Sequence, residues 1–235
     1  MKKLRQTLNI HCSSCPVNTL CVTKGLDKTN MDWLSERIPH YKILEKGEHL
    51  FQKATPVEYV FALRSGTVKT YQMNQEGEEF VHDFYGVGDV VGLRNFHHSQ
   101  YVTSALVIEK AFVCLIPVEL IRHPQPFIYP RIMKMLCQRV RGQEPYQHLT
   151  NAKRRVAAFF LTLINRSNKV SGKSDTILVP PSNLDISRKI GIANETLSRT
   201  LGELASDGRL VMKNHIIQHY DLEALKHLVD YPLET

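Results

Sequence analysis

The sequence predicts an α+β protein in which an antiparallel β-barrel or jelly roll precedes a linking helix and a carboxy-terminal winged helix-turn-helix. Three observations support this fold class. Between residues 42 and 92, short β-branched and aromatic runs are separated by glycines at roughly ten-residue intervals. From Tyr129 onward, apolar residues recur with a period near 3.6. Residues 182–217 then show two short helical patterns followed by a hairpin.

Length and charge limit the classes of protein that the chain can belong to. Its 235 residues, 43% of them hydrophobic, suffice for two domains. No apolar run approaches the about 20 residues that a membrane helix requires, and no apolar signal region follows the basic start. We therefore expect a cytoplasmic protein with no membrane partner. The net charge of +7 concentrates between Lys153 and Lys213, where eleven Lys or Arg face five Asp or Glu, which indicates a nucleic-acid partner.

Three of the five cysteines lie in the stretch HCSSCPVNTLC, as Cys12, Cys15 and Cys21. In the cytoplasm thiols stay reduced, so clustered cysteines favour a metal site over disulfides. Cys114 lies in a predicted strand, whereas Cys137 lies on a helical stripe and is interpreted as a core or interface residue. Four thiolates suit a cubane iron-sulfur cluster and also structural zinc.

The middle of the chain predicts several strands and turns. YVFALRSGTVKTYQM is expected to form a hairpin that turns at Arg64–Ser65–Gly66, and NQEGEEF is expected to form a second, acidic turn. SALVIEKAFVCLIPVEL predicts two strands on either side of Glu109–Lys110. A linking helix and a further helix over residues 151–165 follow. Gly142 and Pro145 lie between these two helices and are expected to kink or end the helix there.

The carboxy-terminal third carries the most specific local motif. Ser182 is a predicted N-cap with Asp185 three residues on, and Gly191 supplies the turn between two helices. A hairpin turning at residues 213–215 then predicts a wing. The shared apolar core of the two helices is expected to consist of Ile186, Ile190, Ile192, Leu197 and Leu201.

The second of these helices has a polar face suited to reading DNA. Glu195, Ser198 and Arg199 are spaced i, i+3 and i+4 and therefore share one face. In a major groove, Arg binds guanine, Glu accepts from cytosine and Ser bonds to either. The alternative is a Glu-to-Arg pair on a solvated surface, worth about 0.2 to 0.5 kcal/mol. The position on the second helix of this motif favours the DNA-reading interpretation.

Taken together, these features resemble the cyclic AMP receptor protein (CRP) superfamily of bacterial regulators. NETLSR is similar to the E-x-x-S-R recognition helix of its fumarate and nitrate reduction regulator (FNR) branch, and the spacing of Cys12, Cys15, Cys21 and Cys114 resembles the cysteines of that branch. The resemblance implies a cluster-binding segment over residues 1–30 and a sensory β-barrel over 31–127. It implies a dimerisation helix over 128–150 and a DNA-binding domain over 151–235.

The resemblance also implies a function. It implies a regulator, not an enzyme, whose four cysteines hold a 4Fe-4S cluster that is stable without oxygen and favours a homodimer. The dimer would bind a TTGAT-like palindrome in double-stranded DNA through Glu195, Ser198 and Arg199. Asn194 departs from the branch and leaves the outer base preference open. Gly77 and Glu78 fall where the branch has a loop that touches RNA polymerase, although an exposed acidic turn needs no such role.

Two alternatives remain at this stage. A cyclic-nucleotide sensor would need an Arg-Ser or Arg-Ala pair to hold the phosphate, but the chain has Tyr101–Val102–Thr103–Ser104 there, so we expect no cyclic nucleotide. The other alternative is a DNA-binding regulator of the same superfamily with structural zinc, or with a nitric oxide or redox signal.

Overall fold

The computed structural model describes residues 11–38, 40–141, 149–171, 177–180 and 182–229. The chain divides into two compact units, residues 1–137 and 138–235. Among the described residues, no helix is both long and apolar enough to cross a membrane.

Within its described residues, the first unit contains six strands, three helices and two short 3-10 turns. The turns are Cys12–Ser14 and Leu93–Asn95. The strands are β1 (His40–Leu44), β2 (His49–Phe51), β3 (Tyr59–Met73), β4 (Glu79–Tyr85), β5 (Val90–Val91) and β6 (Ser104–Pro117). The helices are α1 (Lys28–Arg37), α2 (Glu119–Arg122) and α3 (Tyr129–Arg141), the last of which continues past the unit boundary.

The strands form one antiparallel sheet in the order β1-β6-β3-β4, with β2 paired to β6 and β5 paired to β3. Among the described residues, the outer strands β1 and β4 do not pair with each other, so the sheet is jelly-roll-like rather than a closed barrel. Apolar side chains fill two core clusters, one of which includes the stacked rings of Phe51 and Tyr101. The predicted α+β class with an antiparallel sheet is confirmed.

The predicted hairpin at Arg64–Ser65–Gly66 is wrong, because β3 runs through it as one strand of 15 residues. Leu63 pairs with Val113 and Ser65 with Phe112, so Arg64 is the extra residue of a β-bulge. Gly66 lies next to this bulge and not in a hairpin turn. Its φ is +83°, and a methyl group there would overlap the backbone carbonyl of Lys110.

The predicted break at Glu109–Lys110 is also wrong, since β6 is one continuous strand of 14 residues. Three register shifts between β3 and β6 absorb the bend that would otherwise require a turn. The acidic turn is confirmed: β3 and β4 are joined through Asn74, whose amide donates to the carbonyl of Glu78 at 3.0 Å.

In the sequence, helix α1 follows the cysteine-rich segment and precedes the first strand of the sheet. Asp27 caps it by accepting a hydrogen bond from the Asn30 amide at 2.8 Å. Leu34 is fully buried against the sheet's second core cluster. The predicted boundary between the cluster-binding segment and the β-barrel, at residues 30 and 31, falls inside this helix.

The part of the second unit that the structure describes contains four helices and a small sheet. The helices are α4 (Ala152–Ser171), α5 (Asn183–Ile190), α6 (Asn194–Ser206) and α7 (Leu222–Val229). Strands β7 (Ile177–Leu178), β8 (Leu210–Lys213) and β9 (Ile216–Tyr220) pair in the order β7-β9-β8. Helix α4 runs six residues beyond its predicted end at residue 165. Gly142 and Pro145 lie outside the described residues.

The winged helix-turn-helix is confirmed in its details. The Ser182 hydroxyl accepts from the Asp185 amide at 3.1 Å, and Gly191 ends α5 in the left-handed region at φ 69°. The β8–β9 hairpin turns at Asn214 and His215, with φ values of 50° and 59°. Of the predicted core residues, Ile186, Ile190 and Leu197 are buried, while Ile192 and Leu201 are half-buried.

The bulge at Gly66 is expected to be sensitive to substitution. Gly66→Ala should cost about 1 to 2 kcal/mol for the left-handed backbone alone, and more because the Lys110 carbonyl must move. Gly47→Ala is the matched control, since Gly47 has φ +89° but open space around it. Denaturant unfolding measures both. Equal losses in the two variants would contradict the packing argument.

Candidate functional site

The first three cysteines lie on a segment folded into successive tight turns. The amide of Cys12 donates to Ser35 Oγ of α1 at 2.8 Å, which anchors the start of the segment. The Cys15 amide donates to the Cys12 carbonyl at 3.2 Å, and the Cys21 amide donates to the Val17 carbonyl at 3.0 Å. These local bonds hold the three thiols on one short loop.

Cys114 supplies the fourth thiol from the sheet. In β6 it pairs with Tyr41 of β1 on one side and Ala62 of β3 on the other. All three residues line one cavity, into which the amino-terminal loop also projects its three cysteines. The structure therefore brings together the four cysteines predicted as ligands. Cys137 is exposed on α3 and is not part of this lining.

Burial dominates the electrostatics of the thiols of Cys12, Cys21 and Cys114. It raises the pKa of Cys21 to about 11 and that of Cys114 to about 12, and it also raises the pKa of Cys12. Repulsion between neighbouring thiolates raises these pKa values further. The positive charge of Arg64 lowers the pKa of Cys12 and of Cys114 and so offsets part of the increase. The thiols of Cys12, Cys21 and Cys114 are thus protonated at neutral pH, and any metal that binds them must displace protons.

Arg131 of α3 connects the cysteine loop to a helix that the sequence did not link with it. Its guanidinium donates through Nε to the Cys21 carbonyl at 3.1 Å and through Nη2 to the Leu20 carbonyl at 2.7 Å. Leu20 also packs on Gly88, where a Cβ would lie 2.6 Å from the Leu20 Cβ. The sequence carries no signal for Arg131, since its partners are backbone carbonyls about 110 residues away.

An all-sulfur donor set fits an iron-sulfur cluster or zinc. Within the described ranges, no three His, Cys, Asp or Glu side chains are arranged to hold a single metal ion. The thiols instead line the wall of a shared cavity.

The predicted DNA-reading residues lie together on α6. Glu195, Ser198 and Arg199 are exposed, while Leu197 and Leu204 on the opposite side are buried. Asn194 begins the helix half-buried, and its side-chain oxygen is buried without a hydrogen-bond partner in the part of the chain that the structure describes.

The turn before α6 is held by α4. Arg155 donates to the Gly191 carbonyl at 2.9 Å and to the Leu149 carbonyl at 2.6 Å. Lys153 Nζ lies 3.1 Å from an Asp207 carboxylate oxygen just beyond α6. Both ends of the reading helix are therefore tied to one supporting helix.

Gly77 and Glu78 form the exposed tip of the acidic turn. Asn74 organises this tip, because its Oδ1 accepts from the amides of Glu76 and Glu78 at 3.0 and 2.8 Å. Its Nδ2 donates to the Glu78 carboxylate at 3.0 Å. The tip is thus an ordered, protruding surface.

Comparison with known proteins matches both units. Residues 41–123 match the cyclic nucleotide-binding domain family, and residues 154–228 match the Crp-like helix-turn-helix domain family. The electron transport regulator A of Shewanella oneidensis is 30% identical over 225 residues, covering 92% of this chain and 90% of that protein. The fumarate and nitrate reduction regulatory protein of Yersinia pestis is 29% identical, covering 95% and 92%.

Among solved structures, FixK2 from Bradyrhizobium japonicum has the same fold, with a TM-score of 0.71 and 24% identity over 80% of this chain and 96% of that one. The two matched domains define a transcription regulator with a DNA-binding helix-turn-helix. The chain belongs to the CRP/FNR family of such regulators. Its relatives are regulators, which confirms the prediction that the chain is not an enzyme.

The raised thiol pKa values predict a pH dependence for the metal-free chain. Between the ordinary value of 9.0 and about 11, the folded form keeps a proton on Cys21 that the unfolded form has lost. The free energy of unfolding should therefore fall as pH rises through this window. Anaerobic denaturant unfolding with reductant at several pH values measures the slope.

In the Cys21→Ala variant this slope should be shallower, because the buried thiol is gone. Cys137→Ala, which removes an exposed thiol outside the cavity, should keep the wild-type slope. Identical slopes in the wild type and the Cys21→Ala variant would contradict the assignment.

Proposed function

We propose that this protein is an oxygen-responsive transcription regulator in which Cys12, Cys15, Cys21 and Cys114 hold a 4Fe-4S cluster. One observation carries the proposal: thiols from a terminal loop and from a central strand line the same cavity. Four thiolates in such an enclosed wall match the ligand requirement of a cubane cluster. When bound, the cluster would supply an inorganic iron-sulfide core that oxygen oxidises and degrades.

The names of the relatives support oxygen as the signal. The matched proteins include an anaerobic regulatory protein of Pasteurella multocida, 30% identical over 225 residues, besides the fumarate and nitrate reduction regulators. Respiration on fumarate or nitrate replaces respiration on oxygen. A regulator of that switch needs a sensor that distinguishes the two conditions.

The chain's own residues link the proposed ligands to a helix. The loop that carries Cys21 is held by Arg131 of α3, and Cys12 is held by Ser35 of α1. A change in how the loop is anchored therefore changes the contacts of α3. We propose that α3 contributes to a homodimer, whose two copies of α6 bind a TTGAT-like palindrome with half-sites about one helical turn apart. The tip at Gly77 and Glu78 is the proposed contact with RNA polymerase.

The interior of the sheet supports a signal other than a cyclic nucleotide. The rings of Phe51 and Tyr101 stack at 3.9 Å, and the Tyr101 hydroxyl donates to the Tyr59 carbonyl. These aromatic side chains occupy core space, and Tyr101–Val102–Thr103–Ser104 stands where a nucleotide sensor would have its phosphate-holding Arg-Ser or Arg-Ala pair.

The test is anaerobic purification followed by iron, sulfide and zinc analysis. We expect about four irons per chain, a brown protein with broad absorption, and loss of that absorption together with dimer and operator binding in air. Cys114→Ser should abolish cluster uptake, while Cys137→Ser should not. Cyclic AMP should leave operator affinity unchanged. A colourless protein with one tightly bound zinc would defeat the proposal.

Arg199 provides the test of DNA reading. Arg199→Ala should weaken operator binding by about 1 to 3 kcal/mol and relax the preference at one base pair, because a bidentate contact to guanine is lost. Lys226→Ala removes one charge from α7 and should leave the base preference intact. Binding assays on single-base operator variants measure both. A uniform loss of affinity on all sequences would show Arg199 to be a phosphate contact.

A further inference from the structure

Arg64 is the charged residue in the lining of the four-cysteine cavity. It is the extra residue of the β3 bulge, between Leu63 and Ser65. On a strand, residues two apart share a face, so Arg64 lies on the same side as Ala62, which lines the cavity next to Cys114. The bulge therefore places a guanidinium beside the proposed ligands.

The guanidinium has donors that the described residues do not satisfy. Its Nε and Nη1 are both buried and have no hydrogen-bond partner within the described parts of the chain. Among the described residues that line the cavity, none is Asp or Glu. Arg64 as a whole is half-buried, but buried N–H donors without an acceptor are unfavourable, so these two call for a partner that the described residues do not supply.

Aromatic rings account for only part of the environment. The Arg64 guanidinium carbon lies 4.6 Å from the centroid of the Phe112 ring and 5.9 Å from that of Tyr41. Ring faces stabilise a cation, but they accept no N–H hydrogen bonds from the buried donors in the way that lone pairs do. The rings hold the guanidinium in place and leave two donors available.

We infer that Arg64 is a positioning residue that supplies counter-charge and hydrogen bonds to the group bound by the four cysteines. The inference rests on the proposed function. A 4Fe-4S cluster with four thiolate ligands carries net negative charge, and its sulfur atoms accept hydrogen bonds that raise the reduction potential. Arg64 brings both a positive charge and unpaired donors to the wall that holds those ligands.

The experiment compares the anaerobically reconstituted wild type with Arg64→Met and Arg64→Lys. In Arg64→Met, the reduced cluster loses a stabilising charge, so the one-electron midpoint potential should fall. We expect at least a tenfold change in the reduced-to-oxidised ratio, or about 59 mV. Loss of iron in air should be several-fold faster, because oxidation removes an electron that the nearby charge helps to retain. Arg64→Lys should restore part of both.

Arg37→Met is the matched control. Arg37 also lies over an aromatic ring, 4.0 Å from the centroid of Trp33, but it does not line the cavity. Its potential and air-decay rate should equal those of the wild type. Far-UV circular dichroism checks folding, and Arg64→Gln replaces Arg64→Met if the latter does not fold.

The two proposals fail in different ways. If the wild type binds a cluster and Arg64→Met has the same potential and decay rate, the inference about Arg64 is overturned and the proposed function stands. If Arg37→Met shifts the potential as much as Arg64→Met, the shift follows from the loss of any positive charge and not from the position of Arg64. The inference is then also overturned. If the wild type takes up no iron, the proposed function fails and takes the inference with it.

Discussion

The pairing of β3 with β6 is the interaction on which the site depends. These two long strands form the centre of the sheet, and their register sets Ala62 opposite Cys114. Bulges interrupt the ladder three times without ending either strand, which bends the sheet and leaves Arg64 as an unpaired residue at its face. Gly66 makes the close approach to Lys110 possible, because a larger residue would collide with the backbone there. The thiol of Cys114 and the half-buried guanidinium of Arg64 are thereby placed on one surface.

The loop that covers this surface has little structure of its own beyond tight turns. Its position comes from contacts with three other parts of the first unit: Ser35 of α1, Gly88 in the turn between β4 and β5, and Arg131 of α3. Because Arg131 bonds to carbonyls and not to side chains, the attachment depends on the path of the loop backbone. A change in that path alters the contacts of α3, which links the cysteines physically to the helix proposed to form the dimer.

Burial affects the thiols and the Arg64 guanidinium of the cavity in different ways. It holds Cys21 and Cys114 in their neutral, protonated form when no metal is bound. It also leaves donors of Arg64 unsatisfied. A bound group with thiolate ligands would reverse both conditions, because the ligands become anions and the guanidinium gains a partner. The unfavourable features of the metal-free cavity are thus complementary to one kind of occupant.

By itself, the sequence determined the local features: the cap at Ser182, the left-handed turn at Gly191, the acidic turn near Gly77 and the shared face of the α6 residues. These depend on neighbours within a few positions, so spacing and residue type suffice. The tertiary structure decided what depends on distant pairing. Gly66 was predicted to lie in a hairpin turn, but it lies at a bulge within β3. Only the pairing with β6 shows that the hydrogen-bonded ladder continues past this glycine. Cys114 was selected through a family resemblance, but its place beside the loop, together with Arg64 and Arg131, follows from contacts between residues tens to more than a hundred positions apart, which no local pattern encodes.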